Sequence, residues 1–311
     1  MREGQGITIF LSVIVVVLMI FAMFPRVSAD TAGVEYLIGM SQCNLGEPWR
    51  IKMNNDLTSA AEKYPNIKLI FTDAAQNNDK QIKDIRKLMK LGIDLLIVSP
   101  NESEPLTPVI SEINKQIPVI ILDRKIDNDD YTLFIGADNY DIGASAGDYV
   151  KKLLGKTGGN IVEIAGLPGS RPTVERSEGF RESVSTNMNI KIIEYIAANW
   201  LRDEAEDGFR EYLLNNPEQR IDVVYAHNDP MALGAYKAAK GMGLEENIVF
   251  IGIDGLTTEE GGINLVKKGI INITFIYPTG GEEAIEYAVR LLQGEKFENR
   301  QITLEHRQID R

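Results

Sequence analysis

From residue 33 onward, short apolar runs alternate with amphipathic segments. EYLIGMS (35–41) precedes a helical pattern at 48–64, IKLIFTDA (67–74) precedes one at 79–92, and DLLIVSP (94–100) precedes one at 104–116. PVIILDR (118–124) and TLFIGAD (132–138) follow. The runs are rich in Val, Ile and Leu and scarcely alternate, as expected of strands buried on both faces of a parallel sheet. The helices between them suit right-handed crossovers. A helix at 139–154 leads into a second set of strands at 160–166, 190–197, 222–228, 248–255 and 271–278. Helices are expected between these near 173–187, 203–215, 230–242 and 257–268, then a last one at 281–294 and the run QITLEHRQI (301–309). The pattern predicts two α/β halves of similar plan. No Pro/Gly/Ser linker separates them, so they are expected to pack closely.

Ligands of open parallel sheets bind beyond the carboxyl ends of the strands. Two sheets facing one another would place two sets of strand ends around one cleft. The polar and aromatic residues following the apolar runs are therefore the candidates. They are Gln42, with Trp49 and Arg50 a few residues on, then Gln76, Ser99, Asp123, Arg124, Arg176, Trp200, Asn228, Asp254 and Tyr277. Arg171 and Arg202 meet the same rule. Carboxylates accept from hydroxyls, guanidinium groups donate a rigid fork, and indole rings offer flat faces with a polar tip. That is the chemistry a monosaccharide needs. The chain has two tryptophans, and both fall at expected strand ends.

The N-terminus adds a location. Residues 7–24 form an 18-residue run without charge, followed by Pro25, Arg26 and a VSA sequence at 27–29. The apolar length favours an uncleaved membrane anchor, while Val27 and Ala29 fit a signal-peptide cleavage site. Either alternative puts the rest of the chain outside the cytoplasmic membrane.

Charge and rare residues exclude several classes. A net charge of −12 with no basic run repels nucleic-acid phosphates. One cysteine and two distant histidines speak against a transition-metal enzyme, and no cofactor is expected. GKTGGN (155–160) has Val150 where a phosphate-binding loop needs its first Gly, and no G-x-S-x-G elbow occurs. DNDD (127–130) has Thr132 where a calcium loop needs Gly. Asp123 and Asp254 could form an acid–base pair for glycoside cleavage, but Arg124 beside Asp123 would lower its pKa rather than raise it. A binding protein, not an enzyme, is the expectation.

The strand-end motifs IGMSQCNLGEPWR, TDAAQNNDKQIKDI, PVIILDR, RSEGF, AHNDPMALGA and IGIDG resemble, in order and spacing, periplasmic sugar-binding proteins of the ribose-binding type. SQ followed by WR is most similar to the galactofuranose-binding and xylose-sensing members. The resemblance implies two Rossmann-like lobes of the type I periplasmic binding fold, joined by a three-stranded hinge near 137–139, 276–279 and 301–304. Residues 1–32 would be the signal or anchor. Residues 33–137 with 279–303 would form one lobe, and 138–278 with 304–311 the other.

The resemblance also assigns roles. Asp123, Arg124, Arg176, Asn228 and Asp254 would grip hydroxyls, and Trp49 and Trp200 would stack on the sugar. Ser99 and Tyr277 stand where the family often has amides, which bears on which sugar is bound. The implied ligand is a pentose such as xylose or a furanose such as galactofuranose. The implied partners are a membrane sensor histidine kinase or an ABC transporter permease, with the protein tethered through residues 7–24. Asp229 before Pro230 is expected to cap the following helix, and His227 to be only a neighbour of the pocket. A strand-end carboxylate is not core, so removing that of Asp123 is expected to spare the fold.

Overall fold

The computed structural model describes residues 35–311, so the apolar segment 7–24 and the VSA sequence at 27–29 lie outside the described residues. The first half runs β1 (Tyr36–Gln42), α1 (Pro48–Ala61), β2 (Ile67–Asp73), α2 (Asn78–Lys90), β3 (Leu95–Val98), α3 (Ser103–Asn114), β4 (Val119–Leu122) and β5 (Leu133–Ala137). The second runs α4 (Asn139–Leu154), β6 (Gly159–Ala165), α5 (Arg171–Ser185), β7 (Ile190–Ala197), α6 (Arg202–Asn215), β8 (Val223–Ala226), α7 (Asp229–Lys240), β9 (Val249–Ile251), α8 (Gly262–Lys268) and β10 (Ile273–Ile276). The chain closes with α9 (Gly281–Leu292), β11 (Gln301–Leu304) and β12 (Arg307–Asp310).

Among the described residues the strands form two six-stranded sheets, ordered β11-β5-β4-β3-β1-β2 and β12-β10-β9-β8-β6-β7. All pairings are parallel except that of β10 with β12. The central strands β3, β4 and β8 are buried along their whole length, which explains why their sequences carry apolar residues at consecutive positions. This is the doubly wound α/β plan that the repeating pattern predicts.

The terminal run is two strands rather than one. Its first part adds to β5 and its second to β10, with Glu305 and His306 between them. The reason is geometric. Parallel strands of both sheets point their carboxyl ends at the same cleft, so a chain leaving one sheet and running straight on must enter the other against its strand direction. The helix expected at 257–268 begins only at Gly262, because the chain first turns at Thr258–Gly261.

Helix α4, which follows β5, packs on α5 in the second half. An added Cβ at Gly143 would lie 2.3 Å from the Arg176 carbonyl oxygen, and one at Gly179 would lie 2.0 Å from that of Tyr140. Two backbones thus meet without side chains between them, and this contact sets the position of Arg176 on α5. Helix α9 returns to the first half, where Gly281 lies against Met53, Asp56 and Leu57 of α1. The Gly179→Ala variant forces these helices apart and is expected to cost about 1–3 kcal/mol. A thermal melt should show a fall of roughly 3–10 °C.

Candidate functional site

The carboxyl ends of the two sets of strands meet around a narrow polar cavity with about 20 Å³ of free space. Its lining includes Trp49, Arg50, Asp123, Arg124, Arg176, Trp200, Asn228, Asp254 and Tyr277, all buried. Each comes from a chain segment that leaves a strand or opens a helix. Trp49 and Arg50 lie in the first turn of α1, Asp123 and Arg124 follow β4, and Tyr277 follows β10.

Two expected residues stand behind this lining. Ser99 accepts from Arg50 Nη1 at 2.9 Å, so it positions a guanidinium. Gln42 donates to Asn54 Oδ1 at 3.0 Å and accepts from the Cys43 amide, which fixes the turn after β1 against α1. Arg171 and Arg202 point elsewhere, pairing with Glu175 and with Asp203 and Glu260.

Glu47 and Pro172 line the cavity and were missed. Glu47 sits in a Gly-Glu-Pro stretch that reads as a helix entry, although it directly precedes Trp49-Arg50. Asn139, also missed, accepts from Arg176 Nε at 2.9 Å and donates to the Tyr277 hydroxyl at 3.2 Å. It follows β5 within two residues and so satisfied the strand-end rule.

The electrostatic centre is Asp123. Its Oδ2 lies 2.6 Å from Arg50 Nη2 and its Oδ1 accepts from the Tyr277 hydroxyl at 2.5 Å. Burial alone would push this carboxyl up, but Arg50, Arg124 and the Tyr277 hydrogen bond together hold it below the usual carboxylate range. Burial and the neighbouring Asp123 charge raise the Tyr277 phenol well above its ordinary value, so it stays a donor. The expectation that Asp123 lies apart from the core is corrected here. It is buried in an ion pair, and Ala at this position would strand Arg50.

Asp254 behaves oppositely. Burial, and then the charge of Asp229, raises its carboxyl well above the usual value, with Arg176 opposing. Burial pushes Asp229 up to about 6 against hydrogen bonds from Thr274 and from the amides of Gly255 and Gly262. Asp229 is therefore not the helix cap. Asn228 is, accepting from the Met231 amide at 2.9 Å while donating to the Trp200 carbonyl at 3.0 Å. Its amide nitrogen has a second N–H, so it can still serve a ligand. His227 is fully buried but does not line the cavity. Its Nε2 lies 3.2 Å from Glu163 Oε1, its Nδ1 accepts from the Gly166 amide at 3.4 Å, and burial lowers its pKa. Its carbonyl accepts from Arg176 Nη1.

The cations lie over aromatic rings. Arg50 sits 4.9 Å from the Trp49 ring centroid, Arg124 and Arg176 each 5.4 Å from that of Trp200, and Arg176 4.6 Å from that of Tyr277. The Trp49 indole N–H donates to the Tyr277 carbonyl at 2.8 Å. By contrast, Arg50 Nε, Arg124 Nε and Nη2, and Trp200 Nε1 are buried donors without a hydrogen-bond partner, although Arg124 Nε lies 3.8 Å from Asp123 Oδ2. Such groups are costly unless something accepts from them. Backbone strain is concentrated at the same place. Asp123, Trp200 and Asp254 have φ of 72°, 72° and 135°, values that non-glycine residues adopt only where the surroundings enforce them.

Fold and lining together define a two-lobed binding protein, and residues 38–296 match the family described as the periplasmic binding protein domain. The chain belongs to this family, whose sugar-binding members of the ribose and galactofuranose type it resembles throughout. It is 32% identical over 246 residues to the galactofuranose-binding protein YtfQ of Escherichia coli (strain K12), covering 77% of each chain. It is 28% identical over 267 residues to the ribose import binding protein RbsB of Bacillus subtilis (strain 168), covering 85% of this chain and 84% of the relative. Among solved structures, the fructose-binding periplasmic domain of a hybrid two-component system superposes with a TM-score of 0.85 at 42% identity, covering 89% of this chain and 91% of that one. These relatives are binding proteins, not enzymes, and the family is extracytoplasmic. No helix among the described residues is long and apolar enough to cross a membrane.

Two outcomes follow from the carboxyl groups. Asp123→Ala leaves the Arg50 charge buried and unpaired, and is expected to cost about 3–5 kcal/mol of stability in a denaturant titration. The carboxyls of Asp229 and Asp254 are raised above the value near 3.9 that they have in the unfolded chain. Their effect on stability is therefore favourable at low pH, and that of Asp229 is lost as pH rises from about 4 through about 6. Melting temperatures of the sugar-free protein across this range should fall with rising pH, and Asp254→Asn should flatten the slope.

Proposed function

We propose that the protein is a receptor for a neutral monosaccharide in its furanose form, which closes on the sugar and is then read by a membrane sensor histidine kinase. A pentose such as xylose is the alternative ligand within the same class. The observation that carries the sugar reading is the cavity lining, where buried donors on Arg50, Arg124 and Trp200 lack hydrogen-bond partners beside three aromatic rings.

Three guanidinium groups stand against the carboxyl groups of Glu47, Asp123 and Asp254, and Asp254 is held toward its neutral form. No surplus of negative charge remains to favour a cationic ligand. The furanose form is supported by the galactofuranose-binding relative and by the fructose-binding neighbour, fructose being a ketohexose that readily forms a five-membered ring. In this reading the polar ring is completed by Arg176, Asn228 and Asp254 from one lobe and by Arg50, Asp123 and Arg124 from the other. Closure is a population shift driven by contacts that exist only when both sets face the sugar.

Signalling is supported by the 42% identity to the periplasmic domain of a two-component sensor, and residues 7–24 would tether the receptor beside such a kinase. Delivery to an ABC transporter permease is the second reading, favoured by the ribose import relative. Calorimetric titration with D-fructose, galactofuranose, D-ribose and D-xylose should give saturable one-site binding to at least one of them, with the sugar recovered unchanged. Binding to none would overturn the sugar reading. Gene deletion should abolish sugar-dependent induction and leave uptake intact, and loss of uptake would favour the importer.

A further inference from the structure

Outside the cavity, the two lobes are joined directly at the rim, first at the turn after β2. Asp73 ends β2, and its Oδ1 accepts from the Ala75 amide at 2.8 Å, starting a tight turn. In that turn Ala75 and Gln76 have φ of 50° and 59°. Facing it, after β7, Asn199 and Trp200 have φ of 48° and 72°. These two doublets account for four of the six non-glycine residues of positive φ among the described residues. They are linked across the cleft, for Gln76 Nε2 donates to the Asn199 carbonyl at 3.0 Å.

Both ends of this bridge are anchored to cavity residues. On the first lobe the Gln76 amide donates to the Cys43 carbonyl, and the Gln76 carbonyl accepts from Asn101 Nδ2 at 3.3 Å. The Asn101 carbonyl in turn accepts from Arg124 Nη1 at 3.0 Å. On the second lobe, Trp200 is held through its carbonyl by Asn228 and lies against Gly166, where an added Cβ would be 2.2 Å from the indole. Arg124 and Trp200 then meet each other as cation and ring. A second rim bond, from the Ser103 amide to the Gly169 carbonyl at 3.2 Å, also joins the lobes.

We infer that the Gln76–Asn199 bridge is a clasp that sets how long the sugar stays bound, with Gln76 acting as a positioning residue that never touches the ligand. The inference rests on the sugar-binding reading and deepens it. The left-handed backbone at both doublets turns a side-chain amide and a carbonyl toward each other. Such conformations persist only where the surroundings compensate for them. The bond exists only between closed lobes, so it adds to the closed state alone and its loss acts on opening. Association is governed by encounter with the open cleft and is left unchanged. Affinity differences within one binding site reside mostly in the dissociation rate.

The test uses Gln76→Met, which keeps the length and volume of the side chain but removes its donor. The full chain is mixed with the tightest-binding sugar among D-fructose, galactofuranose, D-ribose and D-xylose, and tryptophan fluorescence is followed by stopped flow. One net hydrogen bond corresponds to a dissociation rate about three- to ten-fold faster. The association rate should stay within about two-fold. The melting temperature should fall in the sugar-saturated protein and not in the sugar-free one, a split that a purely local role for Gln76 would not produce. An unchanged dissociation rate, or an equal loss of stability with and without sugar, overturns the clasp while leaving the sugar reading intact. Failure of the wild-type protein to bind any of the four sugars overturns both.

Discussion

The buried Asp123 carboxylate is the interaction on which the arrangement of the cavity lining depends. It has left water for a place between the Arg50 guanidinium and the Tyr277 hydroxyl, at 2.6 and 2.5 Å. These partners reach it from α1 and from the chain leaving the second sheet, while Asp123 itself follows β4 of the first sheet. One carboxylate therefore ties three segments that are distant in sequence. An ion pair so deeply buried adds little net stability compared with apolar packing, because desolvation opposes the Coulomb attraction. Its contribution is geometric. With Arg50 held by Asp123 and Ser99, and Tyr277 held by Asp123 and Asn139, the remaining donors are fixed in place before a ligand arrives.

Around this centre the polar groups divide into those that support and those that are left over. Glu163 supports from behind: its carboxyl is buried, yet His227, Ser177 and Arg181 hold it in its charged form. His227 in turn fixes the Gly166 amide, against which Trp200 rests. The residue that looks most like a catalytic group is thus a neutral structural one. The leftover donors are Arg50 Nε, Arg124 Nε and Nη2, and Trp200 Nε1. They sit at the edges of groups whose other atoms are committed to the protein. A buried donor that nothing matches keeps its full desolvation cost, so these groups are sensitive to what stands opposite them.

Much of this was legible in the chain. Consecutive apolar residues at 95–98, 119–122 and 223–226 predict strands covered on both faces, and those strands are central in their sheets. The rule that ligands gather at the carboxyl ends of parallel strands picks out residues of which nine line one cavity. The rule misjudged residues whose role depends on distance in space. Ser99 and Gln42 follow strands as Asp123 does, but their side chains meet neighbours before they reach the cavity. Glu47 falls outside a strand end and reaches the cavity because α1 starts beside it. Asp229 has the composition of a cap, but Thr274 and the Gly255 amide lie close enough to take its carboxylate, which leaves the cap to Asn228.

Periodicity and local chemistry act over a few residues, so the sequence alone determined the elements, their parallel arrangement in two halves, and the kind of side chain presented at each strand end. Charge and the scarcity of Cys and His did the same for the classes of chemistry excluded. Only the tertiary structure decided which of those side chains are spent on one another and which are left for a ligand. It also decided that 301–309 divides between two sheets, and that left-handed turns at 75–76 and 199–200 meet across the cleft. The physical reason is common to all of these. Burial, pKa and hydrogen-bond satisfaction depend on groups far apart in the chain, and no local pattern encodes the distance between them.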